Sequence, residues 1–265
     1  MSSPHSLITL ALDVGNTRLK WGVAVDRSWR SFGAIPVNEI ALLPETHWKN
    51  LPKLHHVIGA NVAGAVPKAQ LDAIFLRQAV TPRWLTATQS LCGIKNHCVP
   101  PQSLGADRFA ALIALRQKQL QMKRQNRLPP ILHVTLGTAI VFDAISPTGE
   151  LVGGIILPGF CAIRQGLAAS TSALSLDIPV GNYSEFPLQT NNAIFTGVAD
   201  AVLGAMDRWR KKLATRYGVD ESEVVVFVDG GDVDKIKPLL SAALVLENNP
   251  VLEGLLFALN SGEWY

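Results

Sequence analysis

The 265 residues carry a formal net charge of +3, with 48% hydrophobic and 17% charged side chains. This is the composition of a soluble globular chain, long enough for one large domain or two of roughly 130 residues. So mild a charge does not by itself imply a nucleic-acid partner, and no apolar run reaches the roughly 18 residues needed to cross a bilayer. Cys92, Cys98 and Cys161 form no Cys-x-x-Cys pair and have no histidine spacing to complete a metal site, so neither a disulfide framework nor a structural zinc is supported.

In chain order, Met1–Ser6 has no positive region and runs directly into a strand, so a cleaved signal is not expected and the expected location is the cytoplasm. The strand delivers Asp13 into a turn built from Gly15 and Asn16, and the apolar run from Trp21 to Val25 reads as the second arm of a hairpin. Gly15 and Asn16 tolerate the positive φ expected of such a turn, and Thr17 with the N–H groups beyond it can donate to phosphate oxygens. A carboxylate repels phosphate, so the role expected of Asp13 is to position a hydrated Mg²⁺ that bridges to the phosphates. Read alone, the segment also fits an ordinary hairpin with Asp13 as a turn acceptor. Neither a P-loop nor a Gly-x-Gly-x-x-Gly turn is present.

Helical spacing predicts helices over 107–121, 161–173 and 191–217. The basic run Arg116–Arg127 lacks aromatic residues and reads as a solvated helix end whose cations favour the C-terminal dipole. Pro129-Pro130 marks the expected boundary between two halves. After it, Ile131–Ile145 repeats the outline of the first hairpin, with a polar Thr135 and a Gly137-Thr138 turn. Two such hairpins can face the phosphates of one nucleotide across a cleft. A third turn, Asp229-Gly230-Gly231, ends the apolar strand Val224–Val228 and allows close backbone approach to a flat ligand such as adenosine.

This set of turns resembles the superfamily of actin, the heat-shock ATPases and the sugar and acetate kinases. Within it, residues 13–20, 104–108, 137–139, 153–159 and 229–231 are similar, in order and spacing, to type III pantothenate kinases, the group that includes the Bvg accessory factor proteins. The resemblance covers nearly the whole chain. It implies an α/β fold of two ribonuclease-H-like domains with a central nucleotide cleft, expected at 1–128 and 129–265. It also implies ATP-dependent phosphorylation of pantothenate to 4'-phosphopantothenate, the first step of coenzyme A biosynthesis, in a homodimer with no nucleic-acid or membrane partner.

Phosphoryl transfer of this kind needs a hydroxyl held in line with the γ-phosphate, a base for its proton, and positive charge for the phosphates. Asp107 is the candidate base, at a helix start whose N–H groups favour an anion. Its ordinary reading is an N-cap. The resemblance makes it the catalytic aspartate and places pantothenate against Gly105, Ala106, Asp107, Arg108 and Thr190; the planar fork of Arg108 suits the substrate carboxylate. Thr190 on its own also fits an N-cap. For ATP the resemblance implies Asp13, Val14, Gly15, Asn16, Thr17, Arg18, Leu19, Lys20 and Thr138, although Lys20 equally reads as a solvent-facing strand residue. Gly153, Gly154, Pro158 and Gly159 are expected to shape the wall between the halves.

The chain departs from the family pattern twice. A monovalent cation, K⁺ or NH₄⁺, is implied at an aspartate whose place Thr135 takes, and a neutral hydroxyl weakens such a site. Cys98 stands where relatives carry a pantothenate-contacting tyrosine, so the pocket should form with one phenol donor fewer. Two other readings stay open here: a non-catalytic regulatory or accessory protein that binds nucleotide or a partner, and a sugar or acetate kinase, which the short chain without large inserted domains disfavours.

Overall fold

A computed structural model describes residues 6–122, 127–171, 180–241 and 244–264. Parts of two sequence expectations, residues 123–126 of the basic run and 172–173 of the second helix, lie outside that set. The chain divides into two compact units, residues 1–121 with 249–265, and residues 122–248. The observed division groups the last helix with the N-terminal sheet, whereas the expected boundary at Pro129-Pro130 assigned it to the second half.

The first unit is built on strands β1 (Ile8–Val14), β2 (Arg18–Val25), β3 (Ser28–Pro36), β4 (His56–Asn61) and β5 (Arg83–Trp84), ordered β3-β2-β1-β4-β5. The first three run antiparallel, while β4 pairs parallel with β1 and β5 with β4. The chain crosses from β4 to β5 through helix α1 (Ala65–Leu76), and beyond the two-residue strands β6 (Ser90–Leu91) and β7 (Ile94–Lys95) helix α2 (Ala106–Gln121) packs against β4. Alternation along β1 and β2 puts Leu10, Leu12, Val14, Leu19, Trp21 and Val23 into one core, closed by Leu71 and Phe75 of α1. Burial of each such side chain is worth roughly 1.5–3 kcal/mol before entropy is counted.

The second unit repeats the plan. Strands β8 (Ile131–Leu136), β9 (Ala139–Ile145) and β10 (Leu151–Pro158) are antiparallel, β11 (Val225–Asp229) joins β8 in parallel, and β12 (Val245–Leu246) joins β11. The order β10-β9-β8-β11-β12 is that of the first sheet. Helices α3 (Phe160–Ser170), α4 (Thr190–Tyr217) and the single turn α5 (Val233–Ile236) accompany it. Phe195, Val198, Val202 and Met206 of α4 pack onto Leu132, Val134 and Leu136 of β8. Helix α6 (Pro250–Ser261) then belongs to the first unit, burying Leu252, Leu255, Leu256 and Ala258.

Two local expectations need correction. The residues that adopt a positive φ do not include Gly15, Asn16 or Gly137, so neither phosphate turn relies on left-handed backbone. The basic run is not simply solvated either: Arg116 and Gln119 are buried and hydrogen-bonded to each other. The apolar face of α2 is wide enough to carry these two polar residues inward with it.

Candidate active site

In the first unit the site grows from the carboxyl ends of β1 and β4, the edge at which parallel α/β sheets take ligands. The β1–β2 register sets Asp13 opposite Lys20. Asp13 and Lys20 are half-buried, Asn16, Thr17 and Arg18 are exposed, and Val14 and Leu19 are sealed in the core. Val14 and Leu19 therefore hold the turn in place from below. The Gly15 N–H donates to the Arg18 carbonyl at 3.0 Å, closing the hairpin, and the Thr17 carbonyl accepts from Val37 at 3.0 Å. The exposed side chains at this turn are those of Asn16, Thr17 and Arg18.

The second motif reaches the same edge. Val62, just past β4, donates its N–H to the Val14 carbonyl at 3.0 Å. A β-carbon placed on Gly105 would lie 3.6 Å from Val62 Cγ1 and 2.5 Å from Asp107 Oδ1. A side chain at 105 would therefore press on the Asp107 carboxylate, while its contact with Val62 would be an ordinary one. Helix α2 starts at Ala106, so Asp107 lies within its first turn rather than capping it, and its Oδ1 accepts from the Arg108 N–H at 2.8 Å. Asp107 and Arg108 are both half-buried. The structure thus brings Asp13 and Asp107, 94 residues apart in sequence, to one end of one sheet.

Cys98 sits on the segment that leads to Gly105. It is half-buried, and its N–H donates to Asn96 Oδ1 at 3.0 Å. The buried Asn96 also donates to the carbonyls of Thr88 at 3.2 Å and Pro101 at 2.9 Å. Asn96 therefore shapes this segment, a role that its place in a polar stretch did not reveal.

In the second unit, Thr135 occupies on β8 the penultimate position that Asp13 occupies on β1. Its parallel-register partner is Asp229 on β11. Asp229 Oδ1 lies 3.1 Å from His133 Nε2, and the Thr135 hydroxyl is 3.4 Å from the same nitrogen. Burial opposes a proton on His133. The charge and hydrogen bond of Asp229, with Asp143 and Glu247 beyond, outweigh burial and raise its pKa. The carboxylate absent at 135 thus has a counterpart one strand away, already committed to an imidazole. Sequence inspection missed this pair because it depends on β8–β11 register.

Thr138 is exposed, and its carbonyl accepts from Gly159 at 3.1 Å. A β-carbon on Gly159 would overlap the Gly137 carbonyl oxygen and lie 2.7 Å from that of Thr138. Gly230, at φ +109°, sits against the Leu136 backbone in the same way, and Asp232 donates to the Leu136 carbonyl at 3.0 Å. The close approach foreseen for Gly230 is therefore made to the protein's own strand. Thr190, exposed, is the first residue of α4, whose cap position is Gln189.

Two five-stranded sheets of identical order, each opening on a hairpin with a polar strand end and a glycine turn, define the actin-like ATPase and sugar kinase class of fold. The sequence profile of type III pantothenate kinases matches residues 9–212. A type III pantothenate kinase of Leptothrix cholodnii is 32% identical over 252 residues, covering 93% of this chain and 94% of its own. Among solved structures, a Baf family protein from Campylobacter jejuni superposes with a TM-score of 0.57 at 17% identity, over 96% of this chain and 99% of that one. A candidate N-acetylmannosamine kinase from Listeria monocytogenes superposes with a TM-score of 0.51 at 13% identity, over 97% of this chain and all of that one. These two likenesses are of fold. The chain belongs to the type III pantothenate kinase family.

Proposed function

We propose that the chain transfers the γ-phosphoryl group of ATP to the hydroxyl of pantothenate, releasing ADP and 4'-phosphopantothenate, with Asp107 as the base. The observation that carries this reading is the convergence of the Asp13 hairpin and the Gly105–Arg108 helix start on one edge of the first sheet. Asp107 accepts the hydroxyl proton as the oxygen attacks, and the N-terminal N–H groups of α2 favour the carboxylate form that can do so. Arg108, in the same helical turn, offers its fork to the pantothenate carboxylate. Asn16, Thr17 and Thr138 are the exposed turn residues assigned to the phosphates, with Lys20 supplying charge beside Asp13.

Among the described residues no group of three or more His, Cys, Asp or Glu side chains could hold a metal by itself. One carboxylate at a strand end nevertheless fits Mg²⁺, which keeps several waters and shares its remaining positions with substrate phosphates. Asp13 would hold it, and the ion would neutralise phosphate charge. A monovalent cation at Thr135 fits poorly, since its hydroxyl sits 3.4 Å from the His133 nitrogen whose proton Asp229 favours.

The second unit exposes Val180, Tyr183, Phe186 and Leu188 within nine residues, apolar surface that supports a homodimer contact there. No helix among the described residues is long and apolar enough to cross a membrane. The test is a coupled assay of the purified protein with MgATP and pantothenate, with and without potassium or ammonium. ADP release that depends on pantothenate is expected. Release indifferent to pantothenate would overturn the substrate assignment, and a light-scattering mass near 28.6 kDa would contradict the dimer.

A further inference from the structure

We infer that the C-terminal part of α4 is a docking surface for single-stranded nucleic acid. Residues 207–216 hold five cations, Arg208, Arg210, Lys211, Lys212 and Arg216, against one carboxylate, Asp207, so this stretch carries a formal +4 where the whole chain carries +3. The modest overall charge conceals a concentrated one. Lys211, Lys212 and Arg216 follow Arg208 by three, four and eight residues, which sets the four in one stripe of the helix about 12 Å long. All four are exposed, and among the described residues none of them is ion-paired. Arg210 lies off the stripe and donates to the Glu221 carbonyl at 3.1 Å.

The stripe lines a groove of about 660 Å³ together with the half-buried Trp209, the buried Leu213 and Val152 of β10. The Lys212 ammonium lies 4.9 Å from the centroid of the Trp209 ring, so a cation and an indole meet in it. Cations at regular spacing, unmatched by carboxylates, complement a polyanion. Binding to a bilayer surface would need an apolar face to insert, and the large apolar side chains of this stretch, Trp209, Leu213 and Tyr217, are half-buried or buried. A groove that joins a line of cations to an indole suits a single strand, with phosphates along the cations and a base against the ring. A duplex keeps its bases stacked inside and would leave Trp209 unused.

The experiment is fluorescence anisotropy of the whole protein with a labelled oligo-dT of about 15 nucleotides, beside a duplex of the same length and phosphatidylserine vesicles. Engaging two to four phosphates gives log affinity a slope of roughly −1.4 to −2.8 against log salt, so affinity should fall about 7- to 50-fold between about 50 and 200 mM salt. Arg208→Glu with Lys211→Glu should weaken binding about tenfold or more at the lower salt and leave the melting temperature within about 2 °C. Lys49→Glu with Lys53→Glu, at exposed cations of the first unit, changes the net charge equally and should leave binding within about twofold. Quenching of tryptophan emission on binding should be lost in Trp209→Phe. Undetectable binding at the lower salt, equal weakening by the two double variants, or quenching that survives in Trp209→Phe overturns the inference. So does tighter binding to the duplex or to the vesicles, or displacement by MgATP, which would put the strand at the candidate nucleotide site.

Discussion

The two units share one strand order and differ at the equivalent position of their first strands, Asp13 in one and Thr135 in the other. Around Asp13 the neighbouring parallel strand contributes Ala60, and the charge stands at the sheet edge with Lys20 opposite. Around Thr135 the neighbouring strand contributes Asp229, which is drawn into a buried pair with His133. The duplicated hairpin has diverged in where it keeps its carboxylate. In the first unit it stands half-buried at the strand end, and in the second it joins two strands beneath a turn closed over by Gly159 and Gly230.

The largest effect is expected from opening that closure. Gly230 combines φ +109° with a seat in which a β-carbon would lie 2.6 Å from the Leu136 carbonyl carbon, so Gly230→Ala should destabilise the second unit by about 3 kcal/mol or more. Denaturant titration checks this, and an unchanged midpoint would show that the third turn is adaptable. Next comes the exchange at the equivalent strand positions. Asp13→Thr, which makes the first unit resemble the second, should reduce kcat/KM for MgATP by roughly 10²-fold; unchanged MgATP kinetics would return Asp13 to an ordinary turn acceptor. The reverse exchange, Thr135→Asp, should create or sharpen potassium activation by a few-fold, measured by varying KCl at constant ionic strength. Strong, saturable activation of the unmutated enzyme would show that backbone carbonyls suffice without the carboxylate.

The smallest effect concerns pH. With its pKa raised in the folded protein, His133 contributes stability that is complete below its unfolded value of about 6.5 and is lost as pH rises through the folded value. Melting temperature should therefore fall by a few degrees as pH rises above about 6.5, and His133→Asn should flatten that dependence. A dependence surviving the substitution would assign it elsewhere.

The sequence made the hairpins, the duplication and the helix start at Asp107 readable because each is local: a strand period, a glycine turn, a carboxylate beside a cation. Helices predicted at 107–121 and 191–217 are observed at Ala106–Gln121 and Thr190–Tyr217. What escaped depends on contacts between distant segments. The return of α6 to the first unit and the seat of Gly254 on Ala110 join residues 144 apart, and the His133–Asp229 pair needs the parallel β8–β11 register. Helix α6 is not among the helices that periodicity predicted. Turn geometry was misjudged because glycine is compatible with either sign of φ, and here closure by the Gly15 and Gly137 N–H groups proceeds without a left-handed residue.

The proposed role of Asp107 as the base is tested most directly by Asp107→Asn, measured for turnover with pantothenate and, separately, for MgATP binding by calorimetry. Removing the base should lower kcat by roughly 10²–10⁴-fold while the nucleotide binds as it does to the unmutated protein. Turnover above about a tenth of the unmutated value would contradict general-base catalysis at the start of α2.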